Sequence, residues 1–188
     1  MDQPNDPAER LNAKARNENW PSRADSSLAF EHPNLVQMRE LWTSLAGAGR
    51  LPSRKDLSFR ALKPFLANLT ILKIVAGEDG RHCFRHSYVG TEITHRFGEI
   101  TGLCFEDFLP PELLPRTLAF IETVVETCSP LRIVTQFRFK PVDYLYAEIF
   151  VAPLADDGVT PDKLMSVSHF STETDARMAA EFAACGEV

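Results

Sequence analysis

The stretch Phe84-Arg85-His86-Ser87-Tyr88-Val89-Gly90-Thr91-Glu92-Ile93 constrains the fold more than any other. It reads as a strand that stops abruptly and turns into a helix. Period-two alternation puts Phe84, His86 and Tyr88 on one face and Arg85, Ser87 and Val89 on the other. Gly90 supplies a backbone angle that other residues resist. Thr91 is placed to cap the short helix that follows.

Four further strand patterns surround this one. Leu69 to Val75 is β-branched and apolar. The turn Gly77-Glu78-Asp79-Gly80 makes it an antiparallel hairpin partner for residues 82–89. In residues 131–140, Leu131, Ile133, Phe137 and Phe139 share one face while Arg132, Gln136, Arg138 and Lys140 share the other, the pattern of a half-buried strand. Pro141-Val142-Asp143 turns the chain into the longest strand, 143–154, and Asp156-Asp157-Gly158 leads to the last, 163–170.

Between the second and third strands lies a run of helices. Thr91 to Phe97 is stopped by Gly98, a second piece begins at Thr101-Gly102, and Pro110-Pro111 closes it. Residues 111–128 form one long helix striped by Leu114, Leu118, Ile121 and Val125, with Leu113, Phe120 and Val124 beside them. The order predicts an α+β fold: a five-stranded antiparallel sheet with a helical excursion on one face.

The flanks read differently. Residues 1–31 carry Pro4, Pro7 and Pro21, mixed charges and few large apolar side chains, a composition that favours a disordered or loosely docked tail. Pro33 opens an amphipathic helix over residues 33–46, with Leu35, Met38, Leu41, Trp42 and Leu45 on one stripe. That stripe fits packing on its own domain or docking on a partner, and periodicity does not separate the two. Arg132, Gln136 and Arg138 make a poor bed for it, which favours a homodimer interface. Residues 172–188 read as a terminal helix.

Composition narrows the class. The chain has 188 residues, 44% of them hydrophobic, a net charge of −6 and a pI of about 5.4. An acidic surface argues against nucleic acid or an anionic membrane as the main partner. No apolar run approaches the ~20 residues of a membrane helix, and the polar N-terminus lacks a secretion signal. Cys83, Cys104, Cys128 and Cys185 lack metal-type spacing, so a cytoplasmic protein with reduced thiols and no metal site is expected.

Two strands, a helical excursion and three strands is the layout of a PAS domain. His32-Pro33, Leu41-Trp42, Gly49-Arg50-Leu51-Pro52-Ser53-Arg54, Phe84 to Thr91, Arg96-Phe97-Gly98, Thr101-Gly102 and Leu109-Pro110-Pro111 together resemble a bacterial PAS-like family over residues 32–171. The chain departs from that pattern at Ser87, where an Arg is expected; the Arg lies at 85 instead. The resemblance implies a PAS fold and a sensory or regulatory role. With no output module in the sequence, such a domain acts on a protein partner, under the control of a small ligand. PAS domains as a class often dimerise through a helix preceding the core.

The resemblance also implies a cavity between the sheet and the excursion. The residues expected to line it are His86, Tyr88, Phe105, Val124, Phe137 and His169. Haem would typically use a His on the long helix, and residues 111–128 contain none. Light-sensing flavin chemistry needs a Cys after Gly-x-Asn, and Gly102-Leu103-Cys104 does not supply it. The sequence therefore names no cofactor. The alternative is a small-molecule enzyme of isomerase or hydrolase type, pairing His86 with Asp143 or Glu148 as acid and base. No nucleophile elbow, phosphate loop or metal-binding His motif supports it, and no catalytic residue is assigned.

Overall fold

The computed structural model describes residues 6–47, 49–77, 82–140 and 143–171. The expected C-terminal helix falls outside them. Five of the strands stand where alternation and turns put them: β2 (Leu69–Ala76), β3 (His82–Val89), β4 (Leu131–Lys140), β5 (Asp143–Leu154) and β6 (Lys163–Ser171). A sixth, β1 (Ser22–Asp25), precedes them. All pair antiparallel in the order β1-β4-β5-β6-β2-β3.

β1 corrects the expectation of a loose tail. Residues 7–17 form a helix, α1 (Pro7–Asn17), whose first turn is capped by the Asp6 carboxylate accepting from Ala8 N–H. Ala8 and Leu11 of α1 are buried against the long helix, and Asn12 bonds both backbone groups of Ala24, accepting from its N–H at 2.7 Å and donating to its carbonyl at 2.9 Å. That side-chain bridge holds a four-residue strand against β4 that its own sequence would not hold.

Two apolar layers cover the two faces of the sheet. On the inner face, α5 (Leu114–Thr127) lays Phe120, Ile121 and Val124 over Leu72, Phe84, Ile133 and Val151. On the outer face, α2 (Pro33–Leu45) lays Leu35, Met38 and Trp42 over Phe150, Ala152, Met165 and Val167, with Phe65 from the 3₁₀ segment Lys63–Asn68. The Trp42 indole N–H donates to the Pro153 carbonyl at 3.1 Å. The α2 stripe is thus covered by its own domain. Leu35, Met38 and Trp42 are buried and unavailable to a second copy, and Leu41 and Leu45 pack against the same cluster. The polar outward residues of β4, which favour a homodimer on sequence grounds, are not the bed of this helix. It lies over Phe150 and Ala152 of β5 and Met165 and Val167 of β6, which are apolar.

The polar part of the outer face is also covered. Glu148 of β5 is 3% exposed. It accepts from Arg132 Nε at 2.6 Å and from the backbone N–H groups of Glu31 and His32 at 3.0 and 3.1 Å. One carboxylate thereby fixes the segment that enters α2.

The opening stretch behaves differently from its alternation. Between the pairs Ile71–Tyr88 and Leu72–His86 the register shifts by one residue, leaving Ser87 as a β-bulge. The extra residue sends Tyr88 to the outer face, where its hydroxyl donates to the Leu66 carbonyl at 3.1 Å, and Ser87 Oγ donates to the Ile71 carbonyl. Gly90 has an ordinary φ of −71°, so its role is not backbone freedom. A Cβ there would collide with the carbonyls of Leu66 and Ala67; glycine permits the close approach. Gly90 itself, not Thr91, is the N-cap of α4 (Thr91–Phe97), which ends at Gly98 with φ 81°. The remaining short helix, α3 (Phe59–Leu62), is capped by Ser58, whose hydroxyl accepts from Ala61 N–H at 3.2 Å.

Candidate functional site

The inner face of the sheet, α5 and the excursion enclose a cavity of about 150 Å³. An apolar cavity of about this size binds benzene in another protein. Its floor is the inward row of the central strands, with Thr70 and Leu72 of β2, Ser166 and Ser168 of β6, Ile149 and Val151 of β5, and Ile133 and Thr135 of β4. Its roof is Ile93 and Phe97 of α4 with Ile100, Phe105, Phe108 and Leu109, and α5 supplies Arg116, Thr117, Phe120 and Ile121 as a wall.

His86 joins floor to roof. Its Nδ1 lies 2.8 Å from the Leu103 carbonyl, which also accepts the His86 backbone N–H at 2.9 Å, while Gly102 N–H donates to the His86 carbonyl at 2.7 Å. A carbonyl only accepts, so Nδ1 carries the proton and Nε2 keeps a lone pair. Phe105 and Phe108 meet the imidazole edge-on at 4.8 and 5.3 Å between centroids. Burial lowers the His86 pKa, against the smaller raising effect of the Leu103 hydrogen bond, so the ring is neutral at pH 7.

Of the six expected lining residues, His86, Phe105 and Phe137 reach the cavity. Tyr88 does not, because the bulge turns it outward. Val124 does not either: it is fully buried one turn beyond Phe120, packed in the inner core. His169 lies on the outer face, since Ser168 and Phe170 take the inward positions of β6. There it stacks on His32 at 3.6 Å beside Asn34 and Asn68, and burial, followed by the neighbouring His32, lowers its pKa. The pairing of His86 with Glu148 is not formed, as the two stand on opposite faces. Asp143 as a side chain lies outside the described residues.

Sequence reasoning missed Arg116 and the row of small hydroxyls. Arg116 occupies the stripe of Phe120 and Val124 at helical spacing, and a cation inside an apolar stripe is the signal that marks it. Thr70, Ser166 and Ser168 were legible as polar residues at the inward positions of otherwise apolar strands.

The cysteine reading is also corrected. Cys83 of β3 and Cys104, just before the 3₁₀ turn Phe105–Asp107, are joined by a disulfide with Cα atoms 6.1 Å apart. Twenty-one residues of separation hide a contact that the hairpin-to-excursion path creates. With Glu106 they gather three metal-type donors, but both sulfurs are engaged in the disulfide. Cys128 is free and exposed. Among the described residues, no helix is long and apolar enough to cross a membrane.

Residues 30–168 match the family model described as PAS domain. No curated protein matches the chain. Several solved structures are similar. One is a Light-Oxygen-Voltage domain described with a flavin analogue, 17% identical, covering 68% of this chain and 94% of that one at a TM-score of 0.49. The light state of the blue-light photoreceptor Aureochrome1 LOV is 17% identical over 65% of this chain and 93% of its own, with a TM-score of 0.44. A LOV protein of Rhodobacter sphaeroides is 12% identical over 81% and 83%, with a TM-score of 0.45.

Proposed function

We propose a ligand-controlled regulatory role for this chain, which belongs to the PAS domain family. A small molecule enters the inner-face cavity, and the excursion that roofs it relays its presence to a protein partner. The observation that supports this reading is the coupling of roof to floor through one residue. His86 bonds the excursion at Leu103 by both side chain and backbone, and its ring faces Phe105 and Phe108. A guest that moves these rings must therefore move the chain at Gly102–Leu103. Two packed arrangements of such a roof, biased by a guest, are sufficient for a switch.

Native mass spectrometry of the freshly purified protein tests the first half. A small-molecule adduct is expected on the parent, and none on Ser166→Leu, whose larger side chain fills the floor. Hydrogen exchange tests the second half: the amides of residues 98–109 gain protection when the cavity is filled. A parent protein that carries no adduct and shows no thermal shift against a panel of small apolar molecules overturns the reading.

A further inference from the structure

We propose that the cavity takes a small amphipathic carboxylate, an acid of about six to ten non-hydrogen atoms, with its carboxylate on Arg116 and its apolar body beneath Phe105 and Phe120. The inference rests on the reading of the cavity as a ligand site and names the class of ligand.

Arg116 is 4% exposed and lines the cavity. One of its five N–H donors is engaged, Nη2 donating to the Gln136 carbonyl at 2.9 Å, and its guanidinium lies 5.4 Å from the centre of the Phe137 ring. Among the described residues no carboxylate stands within ion-pair distance of it. Contrast Arg132, equally buried, which has Glu148 at 2.6 Å and Asp25 at 3.9 Å. A buried cation without a counter-ion is unfavourable, and a fold retains one where something else supplies the negative charge. Burial lowers the Arg116 pKa, yet a guanidinium keeps its charge at neutral pH.

The fork geometry of the guanidinium matches a planar carboxylate in a two-point contact. Gln136 follows Thr135 on β4, so the Ser22–Thr135 hydroxyl pair, 2.6 Å apart and also lining the cavity, stands close by. The rest of the lining is aromatic and aliphatic, and suits an apolar body. A single cation in so apolar a space fits a singly charged group better than a dianion. The hydroxyls of Thr70, Ser166 and Ser168 make no hydrogen bond among the described residues, and Nε2 of His86 offers an acceptor. Together they give the body of the ligand room for one further polar substituent.

Calorimetric titration of the full chain with hexanoate and with hexanamide, at pH 7.5, tests this. The two probes share size and shape and differ in charge. Hexanoate is expected to bind about ten- to a hundred-fold tighter, the ratio of a charge-assisted hydrogen-bond pair to a neutral one. Arg116→Gln should erase that preference and leave hexanamide binding in place, while Arg116→Lys should retain part of it. Equal affinity of the parent protein for the two probes overturns the assignment of Arg116 and leaves the cavity as a neutral ligand site. Failure of both probes to bind overturns the cavity reading as well. Both of these results are read on the parent protein, so neither depends on a variant that folds.

Discussion

Glu148→Ala removes the carboxylate that three donors share on the outer face. The loss divides into parts. Arg132, 6% exposed, loses its 2.6 Å partner and keeps Asp25 at 3.9 Å. Removing one member of a buried pair costs about 3–5 kcal/mol, and the surviving Asp25 contact places this case near the low end. The N–H groups of Glu31 and His32 are nearer the surface and can turn to water, so they add little. The expected loss is therefore about 3 kcal/mol, against about 5–15 kcal/mol for the stability of a typical domain. With a urea m-value of about 2 kcal/mol/M, the midpoint falls by about 1.5 M. Fluorescence of the buried Trp42 reports the transition. Glu148→Gln keeps an acceptor oxygen and should fall between parent and Ala. The double change Arg132→Met with Glu148→Leu removes both charges and should recover much of the loss. A midpoint shift below about 0.5 M for Glu148→Ala, or a double variant no better than the single one, would refute the view of Glu148 as the clamp on α2.

Other outcomes follow from the same structure. Gly90→Ala drives a methyl into the Leu66 and Ala67 carbonyls and should cost about 3 kcal/mol, seen as a melting temperature lower by about 6–12 °C. The lowered pKa of His86 means that the unfolded chain takes up its proton first. Its contribution is complete above the unfolded value of about 6.5 and is lost as pH falls from there toward the folded value; urea midpoints between pH 7.5 and 5 should show the decline, and His86→Gln should flatten it. Reduction of the Cys83–Cys104 disulfide releases a cross-link between positions 21 apart in sequence and should lower stability by about 3 kcal/mol. The double variant Cys83→Ser with Cys104→Ser should unfold at one urea midpoint with or without reductant.

The sequence carried the repeating parts of this fold and not its exceptions. β4 was legible because Leu131, Ile133 and Phe137 alternate with Arg132 and Gln136, and α2 because its stripe keeps one period from Leu35 to Leu45. β1 was not, because Ser22-Arg23-Ala24-Asp25 has no pattern of its own and forms only when Asn12 and β4 are already in place. The Ser87 bulge has no local signature, so alternation carried Tyr88 to the wrong face. His169 shows the reverse failure: its strand alternates as expected, and the inward set is Leu164, Ser166, Ser168 and Phe170. Three of the six expected lining residues, the aromatic side chains His86, Phe105 and Phe137, were read correctly. Arg116 was passed over because a helix stripe is ordinarily searched for apolar residues and not for a cation among them.

The placement of β1 bears on where this domain can be divided. Beyond β3, the Gly102–Leu103 segment bonds back to His86, so that side of the sheet is closed by the chain's own backbone. On the opposite side, among the described residues, β1 is the strand that covers the edge of β4, through the pairs Ser22–Thr135 to Asp25–Arg132. The family match begins at residue 30, after β1. A protein trimmed to that boundary would keep the outer apolar layer, lose Ala8, Leu11 and Ala24 from the inner one, and bare a row of N–H and C=O groups along β4. Such a row is a template for strand addition by another molecule. Shortening at residue 30 should therefore turn a self-contained sheet into an adhesive one, so residues 6–29 belong to the folding unit despite their polar composition.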